Sequence, residues 1–482
     1  MKLLEHQQQL VADRGAHMRP LLLAGCVGSG KTPAAIALDL ARRQHRPSIY
    51  HTLIVCPASV VLYWQSMCRQ WGAGRSAVAI LGSREEREDQ LIQIESQSLY
   101  CTEETAGYAV MSYDILRRHW RWTQNQYWYQ VIVDEAHNIS NPRALRSYAT
   151  KAPDALSRIA LTGTPIRNRP QNLWSLLHFL EPGSAYPWSG RTNSRIPAGI
   201  RMRHPSLKWG DYASFRSSYC VETASGAVLS GKDLDILHER IGDIMVRWRK
   251  EDVLPFLPPV LPPEIVRITL TDAQRNLYDS IRTNALGHVP KNLQYHSMLA
   301  RLTGFRRCTA MSPRKLTGTG SRLSAKTEWI KDFVANTLEE EDSVLILTNW
   351  KDAAAEQAEA LAKWKPALIT GDTPLALREE TAETFGKVLI GSPAIFEGLN
   401  LQRASTVIWL DLPWTSTSVT QGIGRVHRIG QTKPVTVIYL LAEGTIDTKV
   451  FDLNRAKAQD ISEAIDGGMS EELLQFGLDA IV

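Results

Sequence analysis

Cysteine is scarce in this chain of 482 residues: six occur, Cys26, Cys56, Cys68, Cys101, Cys220 and Cys308, with no C-x-x-C and no paired-histidine spacing. Their scatter excludes a disulfide framework or a cysteine-based metal site and leaves free thiols in a reducing compartment. Long hydrophobic runs are missing too. Nothing approaches the roughly 18 residues of a membrane span, and the longest apolar stretches, Leu21–Val27 and Val435–Ala442, have the length of buried strands. Charge of one sign is lacking: 55 Lys and Arg against 50 Asp and Glu leave a formal +5, too small to declare a polyanion partner and no obstacle to one. There is no Lys/Arg-rich nuclear signal, no low-complexity tail and no internal repeat with a period of about 20–50 residues. The opening Met1-Lys2-Leu3-Leu4-Glu5-His6 carries Glu5 and His6 where a secretory signal needs its apolar stretch. A soluble, cytoplasmic, membrane-free chain is expected.

What is present is enough apolar material for a sizeable core, at 44% against 22% charged residues. At about 150 residues per domain the length allows roughly three domains, or two large ones with insertions. The first 180 residues alternate polar or helical stretches with short apolar runs at Leu21–Ala24, Thr52–Cys56, Ala77–Ile80, Ala109–Met111, Val131–Val133 and Arg158–Leu161. The pattern returns at Val344–Leu347, Ala367–Ile369, Lys387–Ile390, Thr406–Leu410 and Val435–Leu440. Near-continuous apolar runs suit parallel strands covered on both faces, so two doubly wound α/β domains are expected. Between them, roughly 183–340, the pattern is mostly helical and polar, with loops at Ser189–Lys208 and Thr309–Ser324. Five prolines within Leu254–Pro263 make a semi-rigid spacer and place the boundary there.

Gly25-Cys26-Val27-Gly28-Ser29-Gly30-Lys31-Thr32 fits G-x-x-x-x-G-K-[ST] between a strand and a helix. In that context Gly25, Gly28, Ser29 and Gly30 offer backbone N–H groups to phosphates, Lys31 reaches the β/γ phosphates and Thr32 ligates Mg²⁺. Val131-Ile132-Val133-Asp134-Glu135-Ala136-His137 sets two carboxylates at the end of a buried strand, where charge is costly unless it serves a cation or a reaction. Asp134 suits the Mg²⁺ of the nucleotide and Glu135 the attacking water, so hydrolysis of a nucleoside triphosphate is indicated. In Gln421-Gly422-Ile423-Gly424-Arg425-Val426-His427-Arg428, the two arginines stand three apart, one helical face if the segment is helical, and suit arginine fingers.

Asp134-Glu135-Ala136-His137, Leu161-Thr162-Gly163-Thr164-Pro165-Ile166-Arg167-Asn168, Asn172–Leu180, Gly424-Arg425-Val426-His427-Arg428-Ile429-Gly430-Gln431-Thr432 and Glu443-Gly444-Thr445-Ile446-Asp447 stand in collinear order. Together they resemble the Snf2 family of superfamily 2 helicase-like ATPases, over about Leu3 to Leu453. The resemblance implies two RecA-like lobes: 1–255 binding ATP, with a helical insertion at about 183–250; a proline-rich linker at 256–264; and 265–482, with a helical insertion at about 271–325. It implies that Gln7 reads adenine, that Gly398 joins the nucleotide contacts and Gln421 the catalytic set, and that His137, Thr162, Gly163 and Thr164 couple nucleotide state to closure. It further implies DNA contacts at Pro57, Ser59, Ser112, Tyr113, Asn349, Trp350, Gly371, Arg378 and Asn400. Where the family usually has Asp-Glu-Met-Gly-Leu-Gly-Lys-Thr, this chain has Gly25-Cys26 and Ser29, and Ile395-Phe396 stand where Gly-Gly is frequent.

The resemblance implies ATP and Mg²⁺ as cofactors and translocation on duplex or forked DNA by a monomer, with a targeting protein as a further partner. A strand-separating DNA or RNA helicase and an ATP-binding switch subunit are the alternatives. Arg117–Trp122 with Tyr127–Tyr129 reads as a packed helix and loop, or else as a stacking surface for bases. Arg191, Arg195, Arg201 and Arg203 either touch DNA phosphates or are solvated. With few residues outside the motor, a bacterial or phage setting is expected.

Overall fold

The computed structural model describes residues 2–99, 102–166, 170–187, 201–205, 208–223, 228–283, 298–392 and 399–466. The chain divides after Pro255 into two units, with a short stretch from 460 grouped with the first. Among the described residues, no helix is long and apolar enough to cross a membrane.

The first unit is built on β1 (Leu21–Gly25), β2 (Thr52–Cys56), β3 (Ala77–Ile80), β4 (Tyr108–Ser112), β5 (Tyr127–Asp134) and β6 (Asp154–Thr162). Its insertion carries two antiparallel pairs, β7 (Pro182–Pro187) with β8 (Arg201–Pro205) and β9 (Cys220–Glu222) with β10 (Val228–Gly231), before β11 (Met245–Trp248). Seven parallel strands form one sheet in the order β11-β1-β6-β5-β2-β4-β3. The central strands are buried along almost their whole length, and two separate apolar clusters cover the two faces. That is why their sequences run apolar without alternation.

The insertion expected to be helical over about 183–250 therefore differs in kind. It contains two hairpins, helices at Tyr212–Tyr219 and Leu234–Ile241, and in β11 a strand that returns to the central sheet beside β1. The Ser189–Lys208 stretch holds β8, so it is only partly loop. Residues 188–200, with Arg191 and Arg195, lie outside the described residues, and Arg201 and Arg203 fall on β8.

The second unit has β12 (Glu264–Ile268), β13 (Val344–Leu347), β14 (Ala367–Ile369), β15 (Val388–Gly391), β16 (Thr406–Trp409) and β17 (Thr436–Ala442), all parallel, in the order β12-β17-β16-β13-β15-β14. Its spacer is not inert: Val260 bridges Val435, and β12 opens at Glu264. Thr309–Ser324 includes the end of the helix Met298–Ala310 and a short helix Pro313–Thr317, capped by Ser312. Both sheets thus show the doubly wound α/β class.

Asp411, just beyond β16, organises the second unit. Its carboxylate accepts from Thr348 Oγ1 at 2.5 Å, Asn349 N at 3.1 Å and Asn349 Nδ2 at 2.6 Å, and pairs with Arg306 at 3.2 Å. The Arg306 guanidinium lies over both Trp350 and Trp414, 5.5 and 4.9 Å from their ring centres. Burial pushes the Asp411 carboxyl up, with Arg306 pulling it back. Asp411→Asn keeps the shape but leaves a buried guanidinium without its counter-charge, so a loss of about 3 kcal/mol is expected. A denaturation midpoint equal to that of the parent would deny the cluster that role.

Candidate functional site

Parallel strands bring their carboxyl ends to one edge of a sheet, and loops there collect side chains from segments far apart in sequence. In the first unit that edge carries Gly25 at the end of β1, Cys56 at the end of β2, Ser112 at the end of β4, Asp134 at the end of β5 and Thr162 at the end of β6. The register sets Ala24 opposite Thr162, and Asp134 opposite Leu161.

The loop from Gly25 turns into the helix Lys31–His45 through Gly28 at φ 86° and Gly30 at φ 74°, the left-handed region that favours glycine. Gly30 also admits Gln7: a Cβ there would lie 2.1 Å from Gln7 Nε2. Gln7 is buried, donates to the carbonyls of Ser29 and Gly30 at 3.3 and 3.2 Å, and accepts from Leu4 N. Lys31 Nζ donates to the carbonyls of Gly25 and Cys26 at 2.8 and 3.0 Å, so its charge is held inside the loop. Ser29 Oγ donates to Cys26 O, and Thr32 stands half-buried in the first helical turn. A side chain at Gly25 would press on Ser29, Lys31 and Trp248, which accounts for glycine at that position.

Asp134 and Glu135 are placed by residues other than themselves. Asp134 Oδ2 accepts from the buried Trp64 Nε1 at 2.8 Å, and Oδ1 from Glu135 N at 2.9 Å. Tyr113 Oη donates to the Asp134 carbonyl at 2.6 Å. Glu135 adopts φ 47°, ψ 53°, left-handed backbone that costs a non-glycine residue roughly 1–3 kcal/mol. Asn138 pins that turn by donating from both N and Nδ2 to the Glu135 carbonyl. His137 Nδ1 lies 3.2 Å from Glu135 Oε2.

Burial, with the neighbouring Glu135, pushes the Asp134 carboxyl up to about 6, against the opposing pull of Trp64 and Lys31. The folded chain therefore keeps a proton that the unfolded chain releases near 4, and ligand-free stability falls as pH rises across that window. The effect is on the order of 3 kcal/mol. Asp134→Asn should melt progressively higher than the parent as pH goes from 4.5 to 7; a difference independent of pH would refute the buried-carboxylate account.

The same half-buried oxygens fit a hard cation. Mg²⁺ is ordinarily held by one or two carboxylates together with substrate phosphates, and a divalent charge would offset what burial costs Asp134. Beside them, Thr162 is fully buried and its Oγ1 accepts from Thr164 N at 3.0 Å. Gly163 abuts the loop, its Cβ position 3.5 Å from the Gly25 carbonyl oxygen. The first unit thus brings Gln7, Gly25, Lys31, Asp134 and Thr162–Thr164 into one site.

Several expectations fare differently. Ser112 and Tyr113, expected at a DNA strand, are buried: Ser112 caps the helix Tyr113–Arg118 and Tyr113 supports Asp134, so their side chains serve the interior. Pro57 and Ser59 are half-buried at the start of a short turn after β2. Asn349 is committed to Asp411, and Trp350 to Arg306. Arg378 donates to the carbonyls of Thr373 and Gly371, bracing that loop, while Asn400 is exposed. Gly398, Ile395, Phe396, Arg167 and Asn168 lie outside the described residues.

The helix Ser416–Val426 carries Gln421 half-buried and Arg425 buried in its last turn. It ends before Arg428, so the two arginines do not share a helical face as their spacing suggested. In the aromatic-basic stretch, Trp120 and Trp128 are buried and Trp122 packs edge-on against Trp128, which makes it interior packing with Tyr127 alone of these rings well exposed.

Trp64, His6 and Trp248 were missed as site residues. His6 Nε2 lies 2.9 Å from Ser29 O with its ring edge-on to Trp248, and Trp248 O accepts from Cys26 N at 3.0 Å, so β11 backs the loop. No local pattern marks these partners, which come from 22 or more positions away.

Comparison with known proteins gives three findings. A model of the SNF2-related domain matches residues 6–312, and one of the helicase conserved C-terminal domain matches residues 325–430. The chain is 24% identical over 457 residues to an uncharacterized ATP-dependent helicase of Mycoplasma genitalium, covering 92% of this chain and 40% of that protein. It is 24% identical over 510 residues to the DNA repair protein rhp54 of Schizosaccharomyces pombe, covering 95% and 57%. The chain therefore spans about two-fifths and a little over half of these relatives. Among solved structures, it is 22% identical to the Sulfolobus solfataricus SWI2/SNF2 ATPase core in complex with dsDNA, covering 99% of this chain and 97% of that one, with a TM-score of 0.44.

Proposed function

The chain belongs to the SNF2-related family, and from that premise we propose that it is an ATP-hydrolysing motor that translocates on double-stranded DNA. One observation carries the reading: Lys31, Asp134 and Glu135 converge on one sheet edge, with Asp134 half-buried at the end of a buried strand and Glu135 held in strained backbone. A phosphate-binding loop that merely anchored a nucleotide would have no use for that second carboxylate. ATP is the nucleotide proposed, with Gln7 at its base and the loop amides and Lys31 on its phosphates. Thr32 and Asp134 would hold Mg²⁺, which when bound neutralises phosphate charge. Glu135 takes the proton of the attacking water while Asn138 and His137 fix its position. Thr162–Thr164, in contact with the loop, reports the state of the γ-phosphate to the rest of the first unit. Arg425 and Arg428 supply positive charge to the transferring phosphoryl group, and Gln421 contributes a neutral amide.

Cyclic hydrolysis moves a strand only if the gripping surface is indifferent to sequence, so its contacts are to phosphates and weaken with salt. The relative named as a DNA repair protein supports DNA as the track. The test is ATP turnover by the full chain alone and with duplex, forked, single-stranded DNA and RNA. Strong stimulation by duplex DNA, without separation of a tailed duplex, is the expected result. Turnover absent under all ligands while ATP still binds would instead make the chain a switch, and unwinding of the tailed duplex would make it a strand-separating helicase.

A further inference from the structure

At the end of the first sheet opposite the phosphate loop lies a basic cavity that the hydrolytic reading leaves unused. The helix Lys31–His45 runs back from the loop over 15 residues, roughly 22 Å, and delivers Arg42, His45 and Arg46 beside His17 and Arg19, which precede β1. These five cationic or titratable side chains line a cavity of about 490 Å³, and no carboxylate is among its lining residues.

The floor is the telling part. Arg42 is 1% exposed; it donates from Nη1 to Gln130 Oε1 and Ser157 Oγ at 2.6 and 2.8 Å, and from Nη2 to the Arg19 carbonyl at 2.8 Å, all neutral acceptors. Its Nε is buried with no hydrogen-bond partner. The neighbouring Arg43 donates from Nε to the buried Asp39 carboxylate at 3.0 Å. Two buried guanidinium groups therefore share one buried carboxylate, leaving one positive charge without a counter-ion. Burial already pulls the Arg42 guanidinium down to about 10, even with Asp39 opposing. A buried charge without compensation is expensive, and an anion against the cavity floor would remove that cost.

We propose that this cavity binds a phosphoryl group. Arg42 contributes its buried charge at the floor, and the exposed Arg19 and Arg46 contribute guanidinium forks whose planar geometry matches phosphate oxygens, whereas a single carboxylate would leave most of those donors unused. The site is independent of the motor reading, since none of its residues belongs to the hydrolytic set.

The test uses the full chain with Lys31→Ala, which removes the phosphate-loop cation, titrated calorimetrically with sodium pyrophosphate in 0.15 M NaCl. One equivalent is expected to bind. Adding Arg19→Ala and Arg46→Ala, both at exposed positions, is expected to weaken binding at least tenfold at unchanged thermal stability. Equal titrations with and without those two arginines, or no binding by the Lys31→Ala chain at millimolar pyrophosphate, would overturn the proposal. A 20-nucleotide duplex then identifies the source. Displacement of pyrophosphate, with duplex affinity reduced in the Arg19→Ala/Arg46→Ala chain, assigns the site to a nucleic-acid backbone. Failure to displace assigns it to a small phosphorylated compound.

Discussion

Glu135→Gln is expected to leave ATP binding within about threefold of the parent and to cut turnover by roughly 10²–10⁴, the span of a positioned general base. The amide keeps the volume and the backbone turn, which rests on Asn138 donating to the Glu135 carbonyl and on the Glu135 N–H donating to Asp134, not on the carboxylate. What it removes is the ability to take a proton. Single-turnover hydrolysis with bound nucleotide measured in parallel separates chemistry from affinity: a slowed chemical step at unchanged occupancy is the signature. Normal turnover in this variant would strip Glu135 of the role and return its strained conformation to the fold. His137→Ala gives a graded companion, because it loosens the Glu135 side chain without deleting it.

Much of this was readable in sequence because burial on both faces leaves a plain trace. The central strands β1, β2, β5, β13 and β16 are short apolar runs, and the loop, the carboxylate pair and the arginine segment sit at their ends. Two edge strands that carry charged residues leave no such trace. Met245-Val246-Arg247-Trp248 and Glu264-Ile265-Val266-Arg267-Ile268 each pair with a single neighbour, and both disappeared into the stretch of roughly 183–340 read as mostly helical and polar, whereas the apolar edge strands β3 and β14 were legible. Yet β11 supplies Trp248, which backs the phosphate loop.

Partnership across distance was the other blind spot. Trp64 and Asp134 are 70 positions apart and Arg306 and Asp411 105, and a hydrogen bond of that reach has no periodicity to betray it. Side-chain direction was equally hidden. A motif fixes which residues recur, not which way each side chain turns, and Ser112, Tyr113 and Asn349 are hydrogen-bonded to neighbouring elements of their own units. Within the arginine motif, the Gln431 amide likewise turns inward and ties together Gln402, Ala404, Thr432 and Lys433.

Arg425→Ala and Arg428→Ala are expected to lower turnover by about 10³ each, the contribution an arginine finger makes to phosphoryl transfer and close to 4 kcal/mol of barrier. The two residues stand differently, which makes the pair informative. Arg425 is buried in the last turn of its helix, where a cation is favoured by the helix dipole, and its carbonyl accepts from Leu401 N at 3.0 Å. Arg428 lies beyond the helix end and is half-buried. Truncating Arg425 therefore risks a stability loss that Arg428→Ala does not, and a denaturation midpoint must accompany each rate. The conservative change sharpens the test: Arg→Lys keeps the charge and most of the packing but loses the planar fork, so a packing role predicts recovery and a finger predicts continued loss. ATP affinity should be nearly unchanged throughout, because charge that develops in the transition state is what a finger meets. Losses below tenfold in both alanine variants, or full recovery by lysine, would reduce the two arginines to packing or strand contacts and leave the phosphoryl group to Lys31 and its metal.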